Sequence, residues 1–166
     1  RWTASMTGPC AIRYGKHSVD MSATYPCNSF TPGKWELMED GADCALLAVG
    51  SMVESALEMR ELLAKHHLTA AVVNCSTVKP MDEDMLRRMA DRPLITLEEH
   101  ALAGGFGEAV CAWCVSEELP PPALNLGVPD TFVQHGDREQ LLKYLGLQPK
   151  QMAQRVRAVL EARRNG

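Results

Sequence analysis

Short, continuous apolar runs alternate along the chain with stretches in which apolar residues recur every three or four positions. The continuous runs are typical of strands buried on both faces of a parallel sheet, and the periodic stretches are typical of amphipathic helices. The four strands predicted in this way are Cys44–Val49, Thr69–Asn74, Pro93–Leu97 and Ala123–Val128. Strands and helices that alternate at this spacing predict an α/β domain with a mostly parallel sheet and helices on both faces.

Candidate cap residues place the starts of the helices. Ser51, Asp82 and Asp137 each precede a periodic stretch, and such side chains accept hydrogen bonds from free N–H groups at helix N-termini. A further helix is predicted to begin near Gly104, and Gln148-Pro149 opens the last one.

The first part of the chain follows a different pattern. Pro9–Tyr14 is a short apolar run that predicts a strand, and Lys34–Met38 predicts another. Between them, Ser18–Gly33 has no periodicity and contains Pro, Gly, Ser, Thr and Asn, which indicates a linker.

The composition is that of an ordinary globular protein. The 166 residues are 46% hydrophobic and carry a formal charge of −4, so no basic excess favours nucleic acid as a partner. No apolar run approaches the roughly 20 residues that cross a bilayer. We therefore expect no membrane partner, no nucleic-acid partner and a cytoplasmic protein.

The six cysteines are too few for a disulfide scaffold and indicate a reducing compartment. Those beside or inside apolar runs are expected to pack as small hydrophobic side chains: Cys10, Cys44, Cys75 and Cys111. Cys111 and Cys114 form a CxxC, which elsewhere is a redox pair or half a zinc site. Here the pair lies about two turns inside a predicted helix, and the chain has no second CxxC, so packing is favoured.

Glutamates and glycines cluster after the third predicted strand. Glu98, Glu99 and His100 could form an acid–base group, but no Ser or Cys nucleophile stands nearby in sequence. Capping of the next helix, or an interface role, is therefore favoured. Gly104-Gly105-Phe106-Gly107 could present backbone amides to a phosphate, yet it matches no phosphate-loop pattern, which favours close strand–helix packing.

Three further groups carry polar side chains that could have a chemical role. His135-Gly136-Asp137 and His66-His67 are interpreted as a helix start and a helix end. Arg13-Tyr14-Gly15-Lys16-His17 places two cations and an imidazole at a predicted strand end. A phosphate or carboxylate ligand there and a plain solvated strand end are equally supported.

Several segments, in this order and spacing, resemble a known family. They are Gly8–Tyr14, Leu47–Val53, Val78–Asp82, Ile95–His100 with Gly104–Gly107, and Gly127–Phe132 with His135-Gly136. Together they resemble the C-terminal part of the 1-deoxy-D-xylulose-5-phosphate synthases over nearly the whole chain. Transketolases and the β subunits of 2-oxo-acid dehydrogenases look like cousins with the same last domain, and the PD-x-F…HG segment favours the synthases.

The resemblance implies a three-layer α/β/α fold with a five-stranded mixed sheet, in which Lys34–Met38 is the antiparallel strand. It implies that residues 1–30 are the tail of a pyrimidine-binding domain and a linker, and that residues 31–166 are the transketolase C-terminal-like domain. The implied enzyme is a transferase that condenses pyruvate with D-glyceraldehyde 3-phosphate, using thiamine diphosphate and Mg²⁺, in isoprenoid, thiamine and pyridoxal biosynthesis.

The same resemblance places the catalytic, cofactor-binding and metal-binding residues upstream of Arg1. The chain would then serve interdomain and subunit packing in a homodimer, and be inactive alone. One functional position remains: the family's Arg-Tyr-Pro-Arg-Gly segment reads Arg13-Tyr14-Gly15-Lys16-His17 here, and its second arginine is expected to contact the acceptor's phosphate. Arg13 and Lys16 are therefore candidate substrate-binding residues. Alternatives are a transketolase or dehydrogenase domain, or a stand-alone module binding a small ligand at Glu98–Gly107.

Overall fold

The computed structural model describes residues 2–11 and 30–165. The strands are β1 (Glu36–Glu39), β2 (Cys44–Ala48), β3 (Ala70–Asn74), β4 (Leu94–Ala101) and β5 (Leu124–Val128). The helices are α1 (Met52–Ala64), α2 (Glu83–Met89), α3 (Phe106–Ser116), α4 (Arg138–Tyr144) and α5 (Pro149–Asn165), and Trp2–Ser5 forms a short 3₁₀ helix. The five strands form one sheet in the order β1-β3-β2-β4-β5. No helix in this part of the chain is both long and apolar enough to span a membrane.

Helices cover both faces of the sheet, which confirms the predicted three-layer fold. Successive side chains of a strand point to opposite faces. Leu46 of β2 accordingly packs in a cluster with residues of α1 and α5. Its neighbour Leu47 packs in a second cluster with residues of α2 and α3. Both leucines are fully buried, as expected of a central strand in a parallel sheet.

β1 is the antiparallel strand. It pairs with β3 so that Glu36 lies opposite Asn74, whereas β2–β3, β2–β4 and β4–β5 are parallel pairs. The strand expected at Lys34–Met38 is thus confirmed, with bounds shifted by one or two residues. Because β1 runs against the others, its first residue lies at their carboxyl ends. The backbone N–H of Gly33, just before β1, donates to Thr77 Oγ1 at 3.1 Å, in the segment that follows β3.

Asp82 joins β1 to α2. Its side chain, in a residue that is 4% exposed, accepts hydrogen bonds from the backbone N–H of Trp35 at 2.8 Å and of Met85 at 3.1 Å. The second bond caps α2, so the predicted helix start is confirmed. The first bond attaches the start of β1 to the same carboxylate.

The structure corrects the predicted end of β4. The strand continues to Ala101, whereas the apolar run predicted an end at Leu97, so Glu98, Glu99 and His100 lie within the strand. Pairing with β5 resumes after an irregularity, with Ala101 opposite Val128. Backbone pairing does not depend on side-chain polarity, which explains why the hydrophobic pattern placed the end too early.

Two predictions near helix and chain starts also change. Ser51 precedes α1 as predicted, but its side chain makes no capping hydrogen bond. Of the strand predicted at Pro9–Tyr14, residues 9–11 are described and are not in a strand. The rest of that segment lies outside the described residues.

Candidate functional site

Glu98 lies at the carboxyl edge of the sheet, on the face that carries α3. It is 2% exposed, and its two carboxylate oxygens accept hydrogen bonds from the backbone N–H groups of Phe106 at 2.7 Å and Gly107 at 2.8 Å. These are the first two residues of α3. A negative charge at this place is favoured by the free amides and by the helix dipole. The capping role favoured for the glutamate pair is thus confirmed for Glu98.

The glycines around Glu98 leave the room that this contact needs. A Cβ on Gly105 would lie 2.3 Å from the carbonyl oxygen of Ala101 and 2.4 Å from Glu98 Oε2. A Cβ on Gly107 would lie 2.6 Å from Thr96 Oγ1 on β4. The prediction that the Gly104–Gly107 segment serves close strand–helix packing is confirmed. The amides that a phosphate would use are already bound to the Glu98 carboxylate.

Glu99 points to the opposite face and joins three elements. Its carboxylate receives two parallel hydrogen bonds from Arg138 at the start of α4: Nη2 to Oε2 at 2.6 Å and Nε to Oε1 at 2.8 Å. Ser51 Oγ, just before α1, donates to Glu99 Oε2 at 2.7 Å. The hydrogen bond to Glu99 raises the pKa of Arg138. Glu99 therefore links β4 to α4 and to the start of α1 within the domain.

The Glu99–Arg138 pair is expected to contribute only about 0.5–1 kcal/mol, because both side chains are partly exposed, 31% and 38%, and water screens the charges. A double-mutant cycle of Glu99→Gln and Arg138→Gln, followed by urea unfolding, measures this coupling. Arg60 and Glu39, 3.2 Å apart and of similar exposure, supply a comparison pair. A coupling well above that of the comparison pair would contradict the assignment to surface pairing.

A groove of about 430 Å³ lies beside Arg138, between α1, α4 and the start of α5. Its charged lining residues are Glu54, Glu58, Glu139, Arg138 and Lys150. Carboxylates outnumber cations there, and Arg138 is already paired with Glu99. The groove is therefore not suited to phosphate.

Residues 33–152 match the model of the family described as "Transketolase, C-terminal domain". The chain belongs to this family. The match covers the whole sheet, helices α1 to α4 and the first four residues of α5.

Similar full-length proteins are longer than this transketolase C-terminal domain. A 1-deoxy-D-xylulose-5-phosphate synthase of Synechococcus sp. is 38% identical over 161 residues, which are 94% of this chain and 25% of that protein. A synthase of Aquifex aeolicus is 37% identical over 158 residues, again 94% of this chain and 25% of the relative. The chain thus spans about a quarter of the length of these relatives.

Solved structures agree on the fold. A structure described as "Split gene transketolase, inactive beta4 tetramer" is 33% identical, with a TM-score of 0.75 over 83% of this chain and 46% of that chain. A transketolase of Campylobacter jejuni is 16% identical with a TM-score of 0.59, covering 81% of this chain and 20% of that one, and supports the fold alone.

Cys44, Cys75 and Cys114 pack in the buried clusters of the transketolase C-terminal domain. Burial raises the pKa of Cys114, the opposite of the lowered pKa of a redox CxxC. Asn125 Nδ2 donates to Cys111 Sγ at 3.4 Å, and both cysteines are free. Cys44 and Cys75 are buried as predicted, and burial raises the pKa of Cys44 to about 12. Cys10 is exposed, so its predicted packing is wrong: residues 9–11 are exposed and not in a strand.

The histidine segments lie at helix ends, as predicted. Asp137 Oδ1 accepts the Gln140 N–H at 2.9 Å and caps α4. The backbone N–H of His66 donates to Leu63 at the end of α1. Within residues 2–11 and 30–165, no group of three or more His, Cys, Asp or Glu side chains is placed to hold a metal ion.

The sequence predicts Arg13 and Lys16 as site residues and does not mark Arg138. Arg13 and Lys16 lie outside the described residues, so their substrate-binding role stays a prediction. Arg138 was not singled out in the sequence, although it binds Glu99 through both carboxylate oxygens. The two are 39 residues apart, and no local pattern marks such a pair.

Proposed function

We propose that the chain is the C-terminal domain of a 1-deoxy-D-xylulose-5-phosphate synthase. The observation that carries this proposal is the extent of the match: synthases align over 94% of the chain, beyond the 33–152 range of the family itself. A family match that begins at residue 33 also supports the division into a tail and linker at 1–30 and a domain at 31–166.

The whole enzyme would condense pyruvate with D-glyceraldehyde 3-phosphate and release carbon dioxide, with thiamine diphosphate supplying the carbanion chemistry. The described residues do not fit this cofactor. The α3 amides that could hold a phosphate are bound to Glu98, and no group of three or more His, Cys, Asp or Glu side chains in the described residues is placed to hold a metal ion. We place thiamine diphosphate and Mg²⁺ in upstream domains, as the family resemblance implies, and assign this domain to packing.

The assembly and compartment follow the same proposal. We place the parent enzyme in a homodimer, and the "beta4 tetramer" in the description of one solved relative supports self-association. We place it in the cytoplasm, since the cysteines described by the structure, Cys10, Cys44, Cys75, Cys111 and Cys114, are free.

An assay of the full-length protein tests the reaction. We expect product and carbon dioxide from pyruvate plus D-glyceraldehyde 3-phosphate, and no transfer from a ketose phosphate donor. Transketolase is the second candidate, favoured by the solved split-gene transketolase at 33% identity. Transfer from the ketose donor without turnover of pyruvate would overturn the synthase proposal in its favour.

Calorimetry on the 166 residues tests the non-catalytic role. We expect no binding of thiamine diphosphate with Mg²⁺, because the α3 amides are already occupied by Glu98. Clear binding of thiamine diphosphate or of a sugar phosphate would instead support a stand-alone ligand-binding module.

Lys16→Ala in the full-length enzyme is expected to raise KM for the phosphorylated aldehyde about 10- to 100-fold, as for loss of one charged hydrogen bond. The KM for pyruvate should change little, because pyruvate carries no phosphate. Lys16→Arg is the matched control and should keep KM low, since arginine holds a phosphate with two bonds. Equal effects on both substrates would remove Lys16 from the acceptor site, and Arg13→Ala tests Arg13 in the same way.

A further inference from the structure

The chain enters the folded domain through residues 33–35, which we call the entry segment. The backbone N–H of Gly33 donates to Thr77 Oγ1 at 3.1 Å, and the indole N–H of Trp35 donates to the carbonyl oxygen of Thr77 at 2.8 Å. The family match also begins at residue 33. The entry segment is thus the first part of the family domain, and it is fixed to the loop that follows β3.

Two buried carboxylates bind the backbones of two aromatic residues. Asp82 accepts the N–H of Trp35 at 2.8 Å, and Glu98 accepts the N–H of Phe106 at 2.7 Å. All four residues are buried. Hydrogen bonds to a charged acceptor are strong, and little water competes with them at buried positions. Trp35 and Phe106 are therefore each held firmly at the backbone.

The side chains of the two aromatic residues contact each other. The ring centroids of Trp35 and Phe106 are 5.7 Å apart, and the rings meet edge to face at 66°. Such a pair attracts beyond the burial of its surface. Trp35 precedes β1 and Phe106 follows β4, and two other strands lie between β1 and β4 in the sheet. The ring pair therefore joins two parts of the domain that are not neighbours in the sheet.

We propose that Trp35, Asp82, Glu98 and Phe106 form one cooperative unit, the entry unit, through which the entry segment and the first turn of α3 open and close together. Each ring is held by its own carboxylate-bound backbone and by its partner ring. Release of either carboxylate frees one ring, and the other ring then loses its contact. Local openings of this kind need less free energy than global unfolding.

The entry unit links the connection between domains to the carboxyl edge of the sheet. This meaning rests on the proposed function, in which the residues before 31 lead to upstream domains. A displacement of the entry segment then weakens the Glu98 cap of α3, and loss of the cap loosens the entry segment, because coupling between two sites is reciprocal. The attachment of the upstream domains and the order of α3 thus depend on each other.

Hydrogen exchange of single amides in the 166-residue chain, followed by NMR at low urea concentrations, tests the unit without any substitution. The Trp35 and Phe106 amides should have protection factors equal within about threefold and the same small dependence on urea, because one opening exposes both. The Leu46 amide in the central strand should depend more strongly on urea, as for exchange by global unfolding. A larger difference between Trp35 and Phe106, or a urea dependence of Trp35 equal to that of Leu46, would overturn the unit.

Glu98→Gln tests the coupling in one direction. It keeps the shape of the side chain but removes the charge and turns a side-chain amide group toward one of the two N–H groups. We expect the Phe106 amide and also the Trp35 amide, which is bound to Asp82, to exchange about 10-fold faster. Glu99→Gln is the matched control and should change neither, because Glu99 is the next residue of β4 and points to the other face. An unchanged Trp35 amide in Glu98→Gln would contradict the coupling.

Phe106→Leu tests the route of the coupling. In the chain that retains Phe106, Asp82→Asn should accelerate exchange of both the Trp35 amide and the amide of residue 106. With the ring contact removed by Phe106→Leu, Glu98→Gln should no longer change the Trp35 amide. Coupling that persists in the Phe106→Leu background would overturn the ring pair as its carrier. These measurements use no substrate, so their failure is separable from failure of the proposed function, which the substrate assay decides.

Discussion

Replacing Glu98 with alanine is expected to lower the free energy of unfolding by about 3–5 kcal/mol, since it removes two charge-assisted hydrogen bonds inside the protein. The N–H groups of Phe106 and Gly107 lose their acceptor, and little water reaches them because Glu98 is 2% exposed. Urea unfolding of the chain, followed by circular dichroism, measures the change.

Glu108→Ala is the matched control for this experiment. Glu108 Oε2 also accepts a backbone N–H, that of Gly104 at 2.5 Å, in the same turn but in an exposed position. Its loss should cost about 1 kcal/mol or less, because water replaces the carboxylate. Equal costs for Glu98→Ala and Glu108→Ala would show that burial of Glu98 does not matter to the capping of α3.

Gly105→Ala is the second large effect, and we expect it to cost about 3 kcal/mol. The new methyl group would lie 2.3 Å from the carbonyl oxygen of Ala101, which is backbone and cannot rotate away. It would also lie 2.4 Å from Glu98 Oε2. To relieve these contacts, α3 must move away from β4 or the hydrogen bonds of Glu98 to α3 must break. Urea unfolding detects the loss of stability in either case.

Gly104→Ala separates crowding from backbone strain. Gly104 has a φ of +71° and nothing within 4 Å of its added Cβ, so only the strain of the left-handed conformation applies, about 1 kcal/mol.

Adding Gly105→Ala to Glu98→Ala should cost less than Gly105→Ala alone, because the clash with the carboxylate is gone. If the costs of Gly105→Ala and Glu98→Ala simply add, the contact with the Ala101 carbonyl oxygen alone causes the cost of Gly105→Ala.

The hydrophobic pattern alone is sufficient to predict the four parallel strands of the sheet. Each of the four apolar runs is a strand, because a buried parallel strand must be apolar on both faces. The antiparallel direction of β1 came from the family resemblance, since a short strand of mixed polarity such as Glu36–Glu39 carries no sign of its direction.

The two adjacent glutamates show what the pattern could not supply. The sequence favours capping or an interface role for the pair, and the structure shows that Glu98 caps α3 while Glu99 pairs with Arg138 within the domain. The division follows from strand geometry: neighbouring residues point to opposite faces, one toward α3 and the other toward α4. It was missed because the apolar run ends at Leu97, which placed both residues in a loop.

Arg138 could not be predicted for a different reason. Its contact with Glu99 joins the end of β4 to the start of α4 across 39 residues, and depends on how α4 packs after the loop between β5 and α4. Spacing in a sequence shows neighbours on one helix or strand, not neighbours across a fold. A residue of this kind is found from coordinates, or from covariation among relatives.

The Glu98 cap makes the N-terminus of α3 insensitive to anions in its surroundings. The Glu98 carboxylate belongs to the same chain as the α3 amides, so its effective concentration beside them is high. A dissolved anion must compete with it for these amides. Phosphate or sulfate in the medium should therefore neither displace it nor stabilise α3 by binding there. At the edge where open α/β sheets usually bind small ligands, the N-terminus of α3 thus already holds an anionic group of the chain itself.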